Sequence, residues 1–251
     1  TFAAGLAAAG LKPIVAVYSS FLQRAYDQIL HDVCIQELHV VFAIDRAGLV
    51  GSDGETHQGI FDLSYLSCLP NMTILAPKNK WELSDMIKYA VDFSGPIAVR
   101  YPRGEAFDEL KEYRAPLEYG KAEVLYEESE ILLLAGSMVK TALTVRERLK
   151  EKGYSCSLVN ARFVKPFDEE LLLKLQKNHK LLVTLEENVQ SGGFGEHVLE
   201  FMNTSGDGSM EVLNIAIPDV YVEHGNVELL RKETGIDADG IIGKIIDRKA
   251  Q

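Results

Sequence analysis

The sequence predicts an α/β protein made of two doubly wound, mainly parallel-sheet domains. Three observations support this. Short, continuous apolar runs recur between amphipathic stretches, and strands of that kind lie beneath helices on both faces of a sheet. The pattern lapses once, over the polar, aperiodic stretch from Glu105 to Tyr119 that contains Pro116, and then resumes. The 251 residues, 47% of them hydrophobic, are enough for two ordinary cores. The expected layout is a first domain over 1–104, a linker over 105–119 and a second domain over 120–251.

Element by element, the alanine-rich "TFAAGLAAAG" reads as a helix ended by Gly10 and Pro13. "PIVAVYSS" follows as a buried strand, and Ser19 or Ser20 is expected to cap an amphipathic helix from Phe21 to Glu37. "LHVVFAID" is the second strand. A glycine-rich loop and a short helix lead to the strand "MTILAP", a helix from Lys80 to Asp92, and the strand within "PIAVRYPRG". Beyond the linker, strands are expected at "ILLLAG", "SCSLVNA", "KLLVTLEE" and "VLNIAIP", with helices starting near Val139, Asp168, Gly195 and Asn226. Repeated strand–helix–strand units imply right-handed crossovers.

Charge limits the function. With 26 basic and 37 acidic residues the net charge is -11, which argues against a broad nucleic-acid footprint or an anionic membrane surface as partner. No apolar run approaches the ~20 residues a membrane span needs. Any anion the protein binds must be met locally, and residues 1–104 are nearly neutral, with 8 basic and 10 acidic side chains. Cys34, Cys68 and Cys156 are odd in number and lack a CxxC spacing, which suits free thiols in a cytosol-like compartment. The chain starts at Thr1 inside a helix, so it is expected to continue a longer chain upstream.

Open parallel sheets bind ligands beyond the carboxyl ends of their strands. Three segments are expected to meet there: Tyr18 and Ser19, then Asp45 and Arg46 with the loop "AGLVGSDGETHQG", then Arg100 to Arg103. Glycines 48, 51, 54 and 59 can take a positive φ or let backbone approach a ligand. Asp53 supplies an acceptor, and His57 a group that can carry a proton near neutral pH. Arg46 and Arg103 suit a phosphate or carboxylate, because guanidinium presents paired donors in a fixed fork. A plainer reading is equally open: Asp45 pairs with Arg46, and His57 is a solvated loop residue.

Longer stretches go further. "YSSFLQRAYDQILHDV", "FAIDRAGLVGSDGETHQGIFDLSYLSCLPNM" and "GPIAVRYPRG" closely resemble the pyrimidine-binding domain of the 1-deoxy-D-xylulose-5-phosphate synthase family of the transketolase superfamily. "ARFVKPFDEELL", "LVTLEENVQSGGFGEHV" and "VLNIAIPDVYVEHG" resemble its C-terminal domain. The resemblance covers nearly the whole chain, and "DGETHQGIFDLSYL" separates this family from transketolases proper and from oxo-acid dehydrogenase β subunits.

The resemblance implies a thiamine-diphosphate enzyme with Mg2+ that condenses pyruvate with D-glyceraldehyde 3-phosphate to 1-deoxy-D-xylulose 5-phosphate and CO2. It implies Tyr18, Asp53 and His57 around the pyruvate-derived group, with His57 holding an oxygen or moving a proton, and Arg46 and Arg103 on the aldehyde's phosphate. Phe21 matches the aromatic residue that stacks on the aminopyrimidine, and Arg24 borders that pocket. It also implies a homodimer in the bacterial cytoplasm, with a plastid left open. The family's activating glutamate and its diphosphate- and magnesium-binding domain belong upstream of Thr1. The chain by itself is therefore expected to be inactive, needing that N-terminal domain. A non-catalytic assembly or regulatory module, and a naturally split transketolase-like subunit, are the alternatives.

Several features are given structural readings. Gly206-Asp207-Gly208 lies in a polar loop between a helix and a strand, the reverse of the family's metal motif. "SGGFGEHV" departs from G-x-G-x-x-G. His31, His39, His179, His197 and His224 show no metal-ligand spacing. "EEN" at 186–188 ends a strand from which it could reach a ligand, and ordinary capping is the favoured role.

Overall fold

The structure, a computed structural model, describes residues 1–250. The first half runs α1 (Phe2–Ala8), β1 (Ile14–Tyr18), α2 (Ser19–Leu22), a 3-10 turn (Gln23–Ala25), α3 (Tyr26–Gln28) and a π-helical turn (Ile29–Cys34). It continues with β2 (Val41–Asp45), α4 (Asp62–Ser67), β3 (Thr73–Leu75), α5 (Lys80–Asp92) and β4 (Ile97–Arg100). Residues 101–122 carry no helix or strand. The second half runs β5 (Glu123–Tyr126), β6 (Glu130–Ala135), α6 (Val139–Glu151), β7 (Cys156–Asn160), β8 (Phe163–Lys165) and α7 (Glu169–Leu175). It ends with β9 (His179–Val189), α8 (Phe194–Ser205), β10 (Glu211–Ile217), α9 (Val227–Glu233) and α10 (Ala238–Lys249). Among the described residues, no helix is long and apolar enough to cross a membrane.

Two five-stranded sheets result, ordered β1-β2-β4-β3-β8 and β10-β9-β6-β7-β5. Each is parallel except at one edge, where β8 and β5 run antiparallel to their neighbours. The mainly apolar strands β2, β3, β4, β6 and β7 bury nearly every residue, including the polar Thr73, Arg100, Ser157 and Asn160. β1 lies at a sheet edge and keeps Ile14 exposed.

The structure departs from the periodicity in three places. Helical winding from Ser19 to Cys34 changes between α, 3-10 and π types, yet Leu22, Ile29, Val33 and Cys34 all reach the core. The apolar spacing specified a buried face and left the winding open. Ser19 and Ser20 do not cap it. They sit inside its first turn, buried, with hydroxyls lacking protein partners. Finally, β8 joins the first sheet although it follows the linker, pairing Ile74 with Lys165 and Leu75 with Phe163.

That strand exchange binds the halves together. One apolar cluster runs from Ala4 and Leu22 through Leu66 and Ile74 to Leu134, Phe194 and Met202, so it draws on both sheets. A buried polar network crosses the same seam. Lys78 Nζ donates to Glu82 (2.9 Å) and Glu123 (2.7 Å), while Arg162 reaches Glu82 (2.9 Å) and Glu123 (3.1 Å), and Asn160 also donates to Glu82. Two acids facing two bases leave no buried charge unpaired, which is the condition for tolerating such a group.

Candidate active site

Strand register builds the site. Tyr18 pairs with Asp45 across β1 and β2, and Ile44 pairs with Arg100 across β2 and β4, so the chain leaves three strands at one level. α2 starts immediately after Tyr18 and sets Phe21 in its first turn. After β2 the chain turns through Arg46, whose φ of 56° lies in the left-handed region, a costly backbone state for a residue with a side chain. The loop then closes on itself: Gly48 and Gly59 exchange both backbone hydrogen bonds, at 2.6 and 2.8 Å. A Cβ at Gly59 would stand 2.1 Å from the Arg46 carbonyl oxygen, so only glycine permits this closure. Gly51, at φ 83°, faces the Gly225 carbonyl in the same way. Buried Gln58 completes the frame, accepting from Val50 N at 2.8 Å and donating to the Glu223 carbonyl at 3.0 Å.

All seven residues singled out from the sequence come together on this frame. The Tyr18 and Phe21 rings stack with centroids 5.4 Å apart, and His57 meets Phe21 edge-on at 5.3 Å. Arg24 lies over the Phe21 ring at 5.6 Å, and the Arg46 guanidinium over Tyr18 at 4.0 Å. Arg46 Nη1 and Arg103 Nη1 both donate to Asp53 Oδ2, at 2.9 and 3.1 Å. Arg103 also donates to the Val50 carbonyl. Asp45 accepts the backbone N–H of Arg46 (2.7 Å), so the plainer reading of an Asp45–Arg46 side-chain pair gives way to an Asp53-centred one. Thr56 Oγ1 lies 2.8 Å from His57 Nδ1, leaving Nε2 without a protein hydrogen bond among the described residues.

A cleft of about 700 Å³ opens behind the two arginines, between the halves. Arg46, Arg103, Lys80, Lys140 and Arg231 line it, opposed by Asp45, Glu105, Glu187 and Glu228. Despite the chain's negative charge, basic groups are concentrated here. No group of three or more His, Cys, Asp or Glu is gathered as a metal site among the described residues.

Sequence reasoning placed Arg100 at the site without a role and passed over its partner Asp62 and the nearby Tyr65, which hold the site in place. Arg100, fully buried at the end of β4, donates from Nε (2.7 Å) and Nη2 (3.2 Å) to both oxygens of buried Asp62, the first residue of α4. It also reaches Ser137 Oγ and the Glu187 carbonyl, joining three segments. Burial works against its charge, but the Asp62 carboxylate beside it, with Glu187 and Glu186 beyond, more than offsets this and raises its pKa. A lone arginine inside the apolar strand "IAVR" was the available signal. Tyr65 of α4 donates to the Ser19 carbonyl at 3.2 Å, and burial pushes its hydroxyl pKa up. In "EEN", Glu186 accepts the N–H groups of Phe194 and Gly195 at the start of α8, Glu187 pairs with Arg231, and Asn188 accepts from Leu63 N.

Glu186 yields a pH prediction. Burial raises its pKa to about 7, against the pull of the two N–H donors and of Arg100. The unfolded chain releases this proton near the ordinary glutamate value of 4.5, while the folded chain keeps it. The folded state therefore loses stability as pH rises from 4.5 to 7, and the loss persists above 7. Urea unfolding at pH 4.5 and pH 8 should show the difference between Glu186→Gln and the native chain shifting by about 3 kcal/mol in the variant's favour. A pH-independent difference would mean that Glu186 is ionised throughout.

Comparison with known proteins agrees with this architecture. Residues 1–107 match the model for the transketolase pyrimidine-binding domain, and residues 120–241 that for the transketolase C-terminal domain. A relative from Lachnoclostridium phytofermentans named 1-deoxy-D-xylulose-5-phosphate synthase is 58% identical over 246 residues, 98% of this chain and 39% of the relative. One of the same name from Clostridium tetani is 51% identical over 247 residues, covering 98% of this chain and 40% of the relative. The chain thus spans about two fifths of the length of these relatives. A solved split-gene transketolase, described as an inactive β4 tetramer, superposes with a TM-score of 0.84 at 27% identity, over 98% of this chain and 78% of that one. Transketolase from Campylobacter jejuni shares the fold at a TM-score of 0.77. With both domain models matched in order along its length, the chain belongs to the transketolase family, and it is more than half identical to the corresponding stretch of proteins named 1-deoxy-D-xylulose-5-phosphate synthase.

Proposed function

We propose that this chain forms the pyrimidine-binding and C-terminal portions of a thiamine-diphosphate- and magnesium-dependent synthase. It condenses pyruvate with D-glyceraldehyde 3-phosphate to 1-deoxy-D-xylulose 5-phosphate and CO2. The observation that supports this most is the convergence of Arg46 and Arg103 on a single carboxylate oxygen, beside the Tyr18, Phe21 and His57 rings. Two guanidinium groups aimed at one anionic atom form a ready receptor for a phosphate.

The residues fit the cofactor's ring. Phe21 is 39% exposed, unusual for a phenylalanine, and it offers a flat apolar face with Arg24 at its border. Phe21 and Arg24 would hold the aminopyrimidine. When bound, thiamine diphosphate supplies the electron sink for the decarboxylation. This chain's residues do the rest. Tyr18 and Asp53 shape the pocket for the pyruvate-derived group, and His57 Nε2 holds or protonates the substrate oxygen. Arg46 and Arg103 exchange the Asp53 carboxylate for the phosphate of the incoming aldehyde. The magnesium and diphosphate sites are assigned to an N-terminal portion that works with this one.

Association follows the same reading. Phe2, Leu11, Ile14 and Ile35, all from the first half, are large exposed apolar residues, which supports contact with the N-terminal portion or with a second copy in a homodimer. A naturally split subunit is the second reading, favoured by the likeness to the split-gene transketolase, itself described as inactive in its β4 form. Joining this chain to the N-terminal portion of the Lachnoclostridium relative tests both. CO2 release from pyruvate that depends on D-glyceraldehyde 3-phosphate is expected. A chimera that binds the cofactor but ignores the aldehyde refutes the synthase reading.

The phosphate clamp has its own test in that assembled enzyme. A charge-assisted bond contributes about 1.5–3 kcal/mol, so Arg46→Ala or Arg103→Ala should weaken D-glyceraldehyde 3-phosphate by about ten- to a hundredfold. The KM for pyruvate and the poor use of unphosphorylated glyceraldehyde should hardly change. Equal losses on both aldehydes would make the arginines structural partners of Asp53.

A further inference from the structure

The loop that carries Asp53 and His57 has little stiffness of its own. Gly48, Gly51 and Gly54 all take a positive φ, between 73° and 86°, and ordering glycine costs the chain more freedom than ordering any other residue. The Gly54 carbonyl accepts the N–H groups of both His57 (2.9 Å) and Gln58 (3.1 Å), which shapes the turn bearing the imidazole without fixing where that turn sits. Residues 222–225 of the second half fix it from outside. Gly225 N donates to the Gly51 carbonyl at 3.2 Å, and a Cβ on Gly54 would lie 3.4 Å from His224 Cβ. Gln58 Nε2 donates to the Glu223 carbonyl at 3.0 Å, with the Val222 carbonyl at 3.5 Å.

The Gln58 contact is the deeply buried one. The side chain is 2% exposed, and its amide is used at both ends: Oε1 accepts Val50 N at 2.8 Å, while Nε2 reaches the second half. Val50 in turn offers its carbonyl to Arg103 Nη1 at 3.3 Å. One side chain, next to His57 in sequence, therefore ties the imidazole's turn and the segment that Arg103 holds to a carbonyl 165 positions away. An amide suits this place because it brings acceptor and donors together, whereas a carboxylate lacks the donors and a thioether is at best a weak acceptor.

We propose that Gln58 is a positioning residue, which holds the His57 imidazole at its working place by anchoring the loop to residues 222–223. It acts through His57, so the inference rests on the role given to His57 above, and it gives the second half a part in that role. In the assembled enzyme, Gln58→Met, which keeps the length and removes the amide, should lower kcat by about ten- to a hundredfold, the cost of a catalytic group misplaced by about 1 Å. The KM for pyruvate and cofactor affinity should hardly change. In this chain by itself the same variant should shift or broaden the ring proton signals of His57, while the amide signals of β6 and β9 stay in place. Gln58→Glu keeps an acceptor for Val50 N and loses the donor to Glu223, so the same pattern is expected. The native chain supplies a further reading: the Val50 N–H, held by Gln58, should be protected from hydrogen exchange together with the Gly225 N–H. Fixed His57 ring signals in both variants, rapid exchange at Val50, or a loss confined to the KM for pyruvate would overturn the proposal. Shifted ring signals with native kcat in the Gln58 variants and in His57→Ala alike would uphold the anchor and remove His57 from the chemistry.

Discussion

Replacing His57 with alanine in the assembled enzyme should lower turnover by about 10²–10⁴-fold, the usual contribution of a positioned acid or base, while cofactor affinity hardly changes. The geometry separates the two effects. Phe21 is held by Tyr18 stacking as well as by the His57 edge, so the cofactor's ring keeps its platform when the imidazole is removed. The unpartnered Nε2 is lost altogether, while Thr56, the hydrogen-bond partner of the imidazole, faces Nδ1 on its other side. Steady-state turnover and calorimetric cofactor binding on the same variant decide the matter. Near-normal turnover would reduce His57 to a loop residue. A parallel collapse of cofactor binding would make it part of the cofactor pocket.

The largest effect on stability is expected at Asp62. Its carboxylate is fully buried and takes two hydrogen bonds from an equally buried Arg100. Asp62→Ala leaves a guanidinium charge stranded in the core, which typically costs about 3–5 kcal/mol. Replacing both partners with apolar residues, as in Asp62→Leu with Arg100→Met, should recover much of that loss, because desolvation of the pair offsets most of its attraction. Urea unfolding of the single and double variants measures this. A single variant within 1 kcal/mol of the native chain would contradict a stranded charge. Activity should follow in the single variant, since α4 begins three residues after Gly59, where the His57 loop closes on Gly48.

Much of the architecture was legible because it is written in local periodicity. Helix α5 begins and ends where the pattern of Lys80 to Asp92 predicts, with Asn79 accepting from Glu82 N at its start. The strands β2, β3, β4 and β7 fall within the apolar runs that announced them, and β6, β9 and β10 overlap theirs with one or two residues added at an end. β5 (Glu123–Tyr126) and α10 (Ala238–Lys249) escaped the reading. The first is a short edge strand with only two residues buried, and the second has a core stripe of three isoleucines diluted by charge.

The candidate site was readable to the extent that residue type and strand-end position imply chemistry. Tyr18, Asp53, His57, Arg46 and Arg103 stand out in loops and at strand ends, where nothing structural demands them, and resemblance added Phe21 and Arg24. Composition and spacing by themselves thus determined two parallel sheets and the sheet edge at which chemistry gathers. Tertiary structure alone decided that Arg46 turns to Asp53 instead of Asp45, that Arg100 finds Asp62 across 38 positions, that the helix Glu186 caps is α8, and that β8 crosses into the first sheet. The physical reason is shared by all four. Each outcome depends on which distant group is nearest once the chain is folded and water is excluded, and no local repeat encodes that distance.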